Sequence, residues 1–242
     1  EKYPAIKEHL DSYYPQLEKR GDKGKTPYNL RNCAYLEEFQ KEKIVYSEIV
    51  QTAQFYLDRD SFFPEATAFT ITGENLKYLI ALLNSSFVTY IFKKFYMGGE
   101  LGNKGYRYKK IFLEQIPIPK IEQNRQKPFE ILVDYIIYLR KKSLEVKIDS
   151  YVSNEHISKQ FEDVIDAMVF ELYFKEEFIS KDIEFIKYVK EDFFSIEGLD
   201  DSLKEQIIRD SYLKLTESKN KIRNNLLLLP IEFDFIKTII WS

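Results

Sequence analysis

The sequence has 242 residues, 44% of them hydrophobic and 16% aromatic, with a formal net charge of −3. That composition excludes a disordered chain and leaves enough mass to bury a core in one or two domains. Only 8 Gly and 8 Pro are present, so long flexible linkers are not expected, and Cys33, the single cysteine, excludes an internal disulfide and a multi-cysteine zinc site.

In chain order, Tyr3 to Leu17 carries Ile6, Leu10, Tyr13 and Leu17 at helical spacing, and Arg20 to Leu30 reads as a polar loop. Three β-rich runs follow: Lys43 to Val50, Phe55 to Asp58, and Ala68 to Thr72. Gly73 and Glu74 end the last of them. A helix is expected from about Asn75, with Leu76, Leu79, Ile80, Leu83 and Phe87 on one face. Arg107 to Leu113 has the pattern of another strand. Ile116-Pro-Ile-Pro119 is an extended connector, because proline offers a strand no N–H. Beyond it the pattern is helical. Phe129, Leu132, Val133, Ile136, Ile137 and Arg140 share one amphipathic helix. Ser153 is an N-cap for a second, with Ile157, Phe161, Val164, Ile165, Met168 and Leu172 inward. The remainder, through Leu226 to Pro230, reads as helix.

Charge is uneven along the chain. Residues 1–128 hold 20 Lys and Arg against 16 Asp and Glu, a net of +4, and residues 129–242 hold 16 against 23, a net of −7. A basic first half is compatible with a polyanionic partner, and equally with ordinary variation in surface charge. No signal-peptide pattern is visible. The longest apolar run, Tyr78 to Phe92, is interrupted by Asn84, Ser85 and Ser86. With the lone Cys33 this points to the cytoplasm and to no membrane partner. The chain opens on Glu1, so a piece of a longer protein is expected.

Residue patterns for catalysis are missing. There is no Gly-rich phosphate loop and no nucleophile elbow. His9 and His156 are far apart, so His-based metal or triad chemistry would need unusual partners. The acid pairs Asp58/Asp60 and Asp200/Asp201 lack a third ligand and fit solvated surface better than a metal site. His156 reads as a surface or capping residue, and Cys33 as a buried thiol rather than a nucleophile.

One stretch is unusual. Lys93, Lys94, Lys104, Arg107, Lys109 and Lys110 put six cations into eighteen residues, interleaved with Tyr96, Tyr106 and Tyr108 and with Gly98, Gly99, Gly102 and Gly105. Cations in such a pattern neutralise phosphates, Arg reads guanine, and tyrosines bond phosphates or stack on bases. A solvated lysine-rich loop has the same composition.

The ordered motifs Tyr3-Pro4, Leu17-Glu-Lys-Arg20, Pro27-Tyr-Asn-Leu30, Glu42-Lys-Ile-Val45, Leu79-Ile-Ala-Leu-Leu-Asn-Ser85, Gly105-Tyr-Arg107 and Gln115-Ile-Pro-Ile-Pro119 form a recognisable series. With Val164 to Tyr173, the series resembles the C-terminal specificity region of adenine-N6 DNA methyltransferases of restriction–modification systems, including the fused type IIG enzymes. Pro27-Tyr28-Asn29-Leu30 departs from relatives that carry an aromatic just before the Leu. The resemblance implies an α+β target recognition domain that holds double-stranded DNA. A separate catalytic domain, in the same or a partner chain, then flips out and methylates the adenine, or cleaves the DNA. That domain would bind S-adenosylmethionine and carry the Asn/Asp-Pro-Pro-Tyr/Phe motif, which this chain lacks. No catalytic residue, metal site or cofactor is expected here.

The expected organisation is therefore a recognition domain of short strands and helices over residues 1–128, followed by a mainly helical region over 129–242. Lys93, Lys94, Lys104, Lys109 and Lys110 are expected on phosphates, with Tyr106 and Tyr108 beside them and Arg107 reading a base. Arg20, Lys23 and Lys25 of the first loop come second. Leu79, Leu82, Leu83 and Ile91 are expected in the core. A different class of function, a protein-interaction module docking a partner through the helices of Phe129 to Tyr173, suits the acidic half.

Overall fold

A computed structural model describes residues 2–31, 36–65, 67–97, 105–142 and 147–240. Three of its five described strands build a small antiparallel sheet. β1 (Lys43–Ser47) lies between β3 (Tyr56–Asp58) and β4 (Ala68–Ile71), with Ile44 opposite both Leu57 and Ile71. A second pair joins β2 (Ile49–Val50) to β5 (Tyr106–Arg107). The run Lys43 to Val50, expected as one strand, is therefore split between two sheets. Glu48 is the crossover: its N–H donates to Thr67 O (3.2 Å), and its carbonyl accepts from Tyr108 N (2.8 Å).

The helix expected from Asn75 is two helices, α3 (Leu76–Leu83) and α4 (Ser86–Ile91). The polar residues between them explain the break. The Asn84 amide mimics a strand, accepting from Phe55 N (3.0 Å) and donating to Phe55 O (2.9 Å). Ser85 caps α4 by accepting from Val88 N (3.2 Å). A single π-helical turn, Phe92–Tyr96, continues α4 and closes with Met97 N on Phe92 O (2.9 Å). Leu82 and Leu83 are buried, and Leu79 and Ile91 pack partly buried against the same core.

The expected strand Arg107 to Leu113 ends after Arg107, because its partner β2 is only two residues long. Lys110–Leu113 instead form a helical turn, α5. After the connector come α6 (Gln123–Lys142), α7 (Asn154–Tyr173), α8 (Lys175–Ser180), α9 (Ile186–Asp192), α10 (Asp201–Thr216), α11 (Lys221–Glu232) and α12 (Asp234–Ile240). Ser153 caps α7 as expected, accepting from His156 N (3.2 Å), and His156 itself is exposed. No described helix is long and apolar enough to cross a membrane.

The chain forms two compact units. One compact unit is Glu1–Lys41 with Ser61–Phe63, and the other is Glu42–Asp60 with Pro64–Ser242. Position 128/129 falls inside α6, which begins six residues earlier than Phe129 and accommodates Pro128 within it. The helices on either side of the connector also share one core: α3 packs on α6, and α4 on α7 and α12. Phe87 of α4 sits against the rings of Phe170, Tyr173 and Phe174 at 4.7–5.7 Å. The connector's carbonyls are held by tyrosines, Tyr78 on Pro119 O (2.8 Å) and Tyr173 on Pro117 O (2.6 Å). The fold is α+β, with a helical C-terminal region.

In the smaller unit, α1 (Pro4–Asp11), α2 (Tyr14–Lys19) and a 3-10 turn (Leu36–Gln40) contain no buried residue. Local polar bonds hold its loop: Tyr28 donates to Asp11 (2.5 Å) and Gly24 N to Asn29 O (3.0 Å). A Cβ on Gly24 would come 2.4 Å from Leu30 O, so this turn requires glycine. Cys33 lies outside the described residues.

The acids singled out in the sequence have structural partners. Asp58 is fully buried and bonded to the equally buried Lys43, its register partner on β1. Asp200 caps α10, and Asp201 pairs with Lys142 (3.2 Å). Among the described residues no three His, Cys, Asp or Glu cluster in metal-binding fashion.

Asp166 of α7 closes the start of α4 by accepting from Ser86 N (2.8 Å). Burial pushes its carboxyl up from the ordinary 3.8 to about 6, against the lowering effect of that bond. A raised carboxylate pKa favours the protonated fold. The contribution is complete below about pH 4 and is lost as pH rises through about 6. Relative to Asp166→Asn, the wild-type chain should lose roughly 2–3 kcal/mol of stability between about pH 4 and 7.5, since each pKa unit is worth about 1.4 kcal/mol. Urea titrations of both chains across that range check it; a constant difference would contradict the assignment.

Candidate nucleic-acid interface

The stretch Tyr106 to Lys109 follows strand alternation. Directly opposed residues of an antiparallel pair share a face, and successive residues point to opposite faces. Val50 faces Tyr106 and both are buried; Ile49 faces Arg107, and Ile49 is 56% exposed. The sequence Tyr106-Arg107-Tyr108-Lys109 thus sends its tyrosines into the core and its cations outward.

Tyr106 and Tyr108 are 1% and 2% exposed. Both were expected at the DNA surface, and their burial removes them from it. Tyr108 packs on Phe92 (4.4 Å) and Phe55 (4.9 Å), and its hydroxyl lies 3.4 Å from that of Tyr106. Burial raises the pKa of both phenols, so they stay protonated. Their contribution is to fix the backbone that presents Arg107 and Lys109.

The π-turn brings a second group of cations to the same place. Phe92 is its fully buried anchor, 6.2 Å from the Tyr106 ring, and the turn packs on α5. Lys93 Nζ stands 5.1 Å from the centre of the Tyr106 ring, and Lys94 Nζ 5.7 Å from that of Tyr90. Lys109 Nζ lies 6.0 Å from the Phe112 ring, and Lys110 reaches Glu114 at 3.5 Å, both partners being largely exposed. Lys104 lies outside the described residues.

Among the described residues, Lys93, Lys94, Arg107 and Lys109 have no acidic partner. Arg107 makes no hydrogen bond to any of them, and its Nε is buried without an acceptor. Several cations of the later helices are paired: Arg140 with Glu162 (2.5 Å), Lys159 with Asp163 (2.8 Å) and Lys214 with Asp192 (2.7 Å).

The first-loop candidates differ from one another. Arg20 donates to Asn29 O (2.6 Å) and Lys23 to Glu18 O (2.7 Å), so both brace their own loop. Lys25 is exposed and has no partner among the described residues. These three belong to the smaller unit. The sequence reading did not single out Ile49 and Phe95. Ile49 was legible from the alternation set by Val50. Phe95, 76% exposed on the π-turn, was not, because an α-helical count does not hold across that turn.

Residues 6–118 match the family model of the TaqI-like C-terminal specificity domain. The match takes in both sheets, the π-turn, α5 and most of the connector. No curated protein matches the chain.

Proposed function

We propose that this chain, a TaqI-like C-terminal specificity domain over residues 6–118, is the DNA-reading part of a restriction–modification enzyme of the cytoplasm. It holds duplex DNA while a catalytic domain, carrying S-adenosylmethionine outside these residues, methylates adenine, or a nuclease cuts. The supporting observation is the segregation of Tyr106 and Tyr108 inward from Arg107 and Lys109 outward, beside unpaired Lys93 and Lys94.

Each cation has a role in this reading. Arg107 has unpaired donors in a fixed, half-buried setting, which suits bidentate contact with a guanine edge. Lys93, Lys94 and Lys109 take phosphates, Lys110 does so by releasing Glu114, and Lys104 continues the run. Lys25 is the freest cation of the first loop. Sequence selection tests the proposal: the chain, mixed with randomised duplexes, should enrich a discrete motif. Recovery of random sequence would contradict it.

A second reading has its own observation. Leu227, Leu228 and Ile231 of α11 are 58%, 39% and 69% exposed within the acidic half. They suit a helical surface that docks a partner chain. Such docking would be nearly insensitive to salt, whereas duplex binding weakens steeply with it.

A further inference from the structure

We propose that Phe95 is an apolar wedge that enters the bound duplex between two base pairs, an inference that rests on the DNA-reading function above. The π-turn has two sides. Phe92 is fully buried, Tyr96 and Met97 pack against the core, and Lys94 and Phe95 face outward. Phe95 is 76% exposed, the largest exposure of any phenylalanine among the described residues. Single exposed apolar residues are ordinary. This one is set apart by its place: it follows Lys93 and Lys94, neither with an acidic partner among the described residues, on a turn that packs against α5, whose Ile111 is 65% exposed.

A protein partner covering Phe95 would also have to cover Lys93 and Lys94, the two residues before it on the same turn, and burying ammonium groups without acidic partners against an apolar surface is costly. A duplex meets both chemistries at once, since the lysines take the phosphates flanking a step and the ring fills the opened stack. Phe is among the side chains that wedge base steps and kink DNA. The i→i+5 closure of Met97 on Phe92 sets the aim of the ring, and such turns are enriched at functional sites.

The test uses the whole chain and its selected duplex, with 2-aminopurine placed at successive positions. Wild type should raise the fluorescence at one step, and Phe95→Trp should keep that rise. Phe95→Ala should abolish it and weaken binding roughly tenfold, as expected for removal of one stacked ring. The log-log salt slope should stay unchanged, because no charge is removed. Phe95→Ala with wild-type affinity and an undiminished rise would overturn the wedge and leave the DNA-reading function standing. A rise seen only with single-stranded probes would overturn it as well. Absence of salt-dependent duplex binding by wild type would overturn both.

Discussion

Replacing Lys93, Lys94 and Lys109 together by alanine should lower the log-log salt slope of duplex binding by roughly 2.7, about 0.9 for each phosphate no longer neutralised. Carried from about 1 M down to 0.15 M salt, that slope corresponds to roughly a hundredfold weaker affinity. The three are chosen because none has an acidic partner among the described residues, so little in the fold depends on their charge. Their ammonium groups stand near aromatic rings: Lys93 Nζ 5.1 Å from the centre of Tyr106, Lys94 Nζ 5.7 Å from Tyr90 and Lys109 Nζ 6.0 Å from Phe112. Truncation therefore removes a cation–π interaction of about 0.5–1 kcal/mol each at exposed sites, which the fold tolerates. A control triple, Lys159, Lys214 and Lys237 to alanine, removes the same charge from the later helices and should leave the slope nearly unchanged. Equal slopes for the two triples would show that binding senses net charge rather than this surface.

The second large effect is on stability. Asp58→Ala should cost about 3–5 kcal/mol, because it takes the carboxylate away from the buried Lys43 ammonium in the sheet. Lys43 and Asp58 are both 0% exposed and sit opposite each other on β1 and β3. Asp58 also accepts from Asp60 N (2.8 Å) and so shapes the end of β3. Next to it, Arg59 joins Glu42 (2.7 Å) to Asp134 (3.4 Å), and Lys77 joins the same Asp134 (2.7 Å), which ties the sheet to α3 and α6. The double variant Lys43→Met, Asp58→Leu removes both charges and should recover most of the stability, since paired burial of ions gains little over apolar packing. Urea unfolding of the three chains decides it. If the double variant is as unstable as Asp58→Ala, the broken ion pair is not the cause.

Much of this architecture is legible in the residues. The Ser153 cap, the inward face of α7 and the strands around Ile44 follow from caps and periodicity, and each sits where expected. Three features depart from the sequence pattern for identifiable reasons. The run Lys43 to Val50 alternates as one strand, and only the tertiary bonds of Glu48 show that it serves two sheets. The amphipathic face reads as a helix from Phe129, yet α6 begins at Gln123 and carries Pro128 near its start. Tyrosine interleaved with cations reads as a stacking surface by composition. Taken at a period of two, the same residues separate into a buried aromatic side and an outward cationic side. The π-turn is the least legible element, since its register depends on Phe92 finding the Tyr106 and Tyr108 rings.

The most direct test of the DNA-reading surface is selection from randomised duplexes by the wild-type chain and by Arg107→Ala. Wild type should return one motif. Arg107→Ala should return the same motif with the preference relaxed at a single position, at a cost of about 1–3 kcal/mol for the preferred base there. An unchanged motif would remove Arg107 as the base reader, and with it the claim that this outward face of β5 carries the specificity.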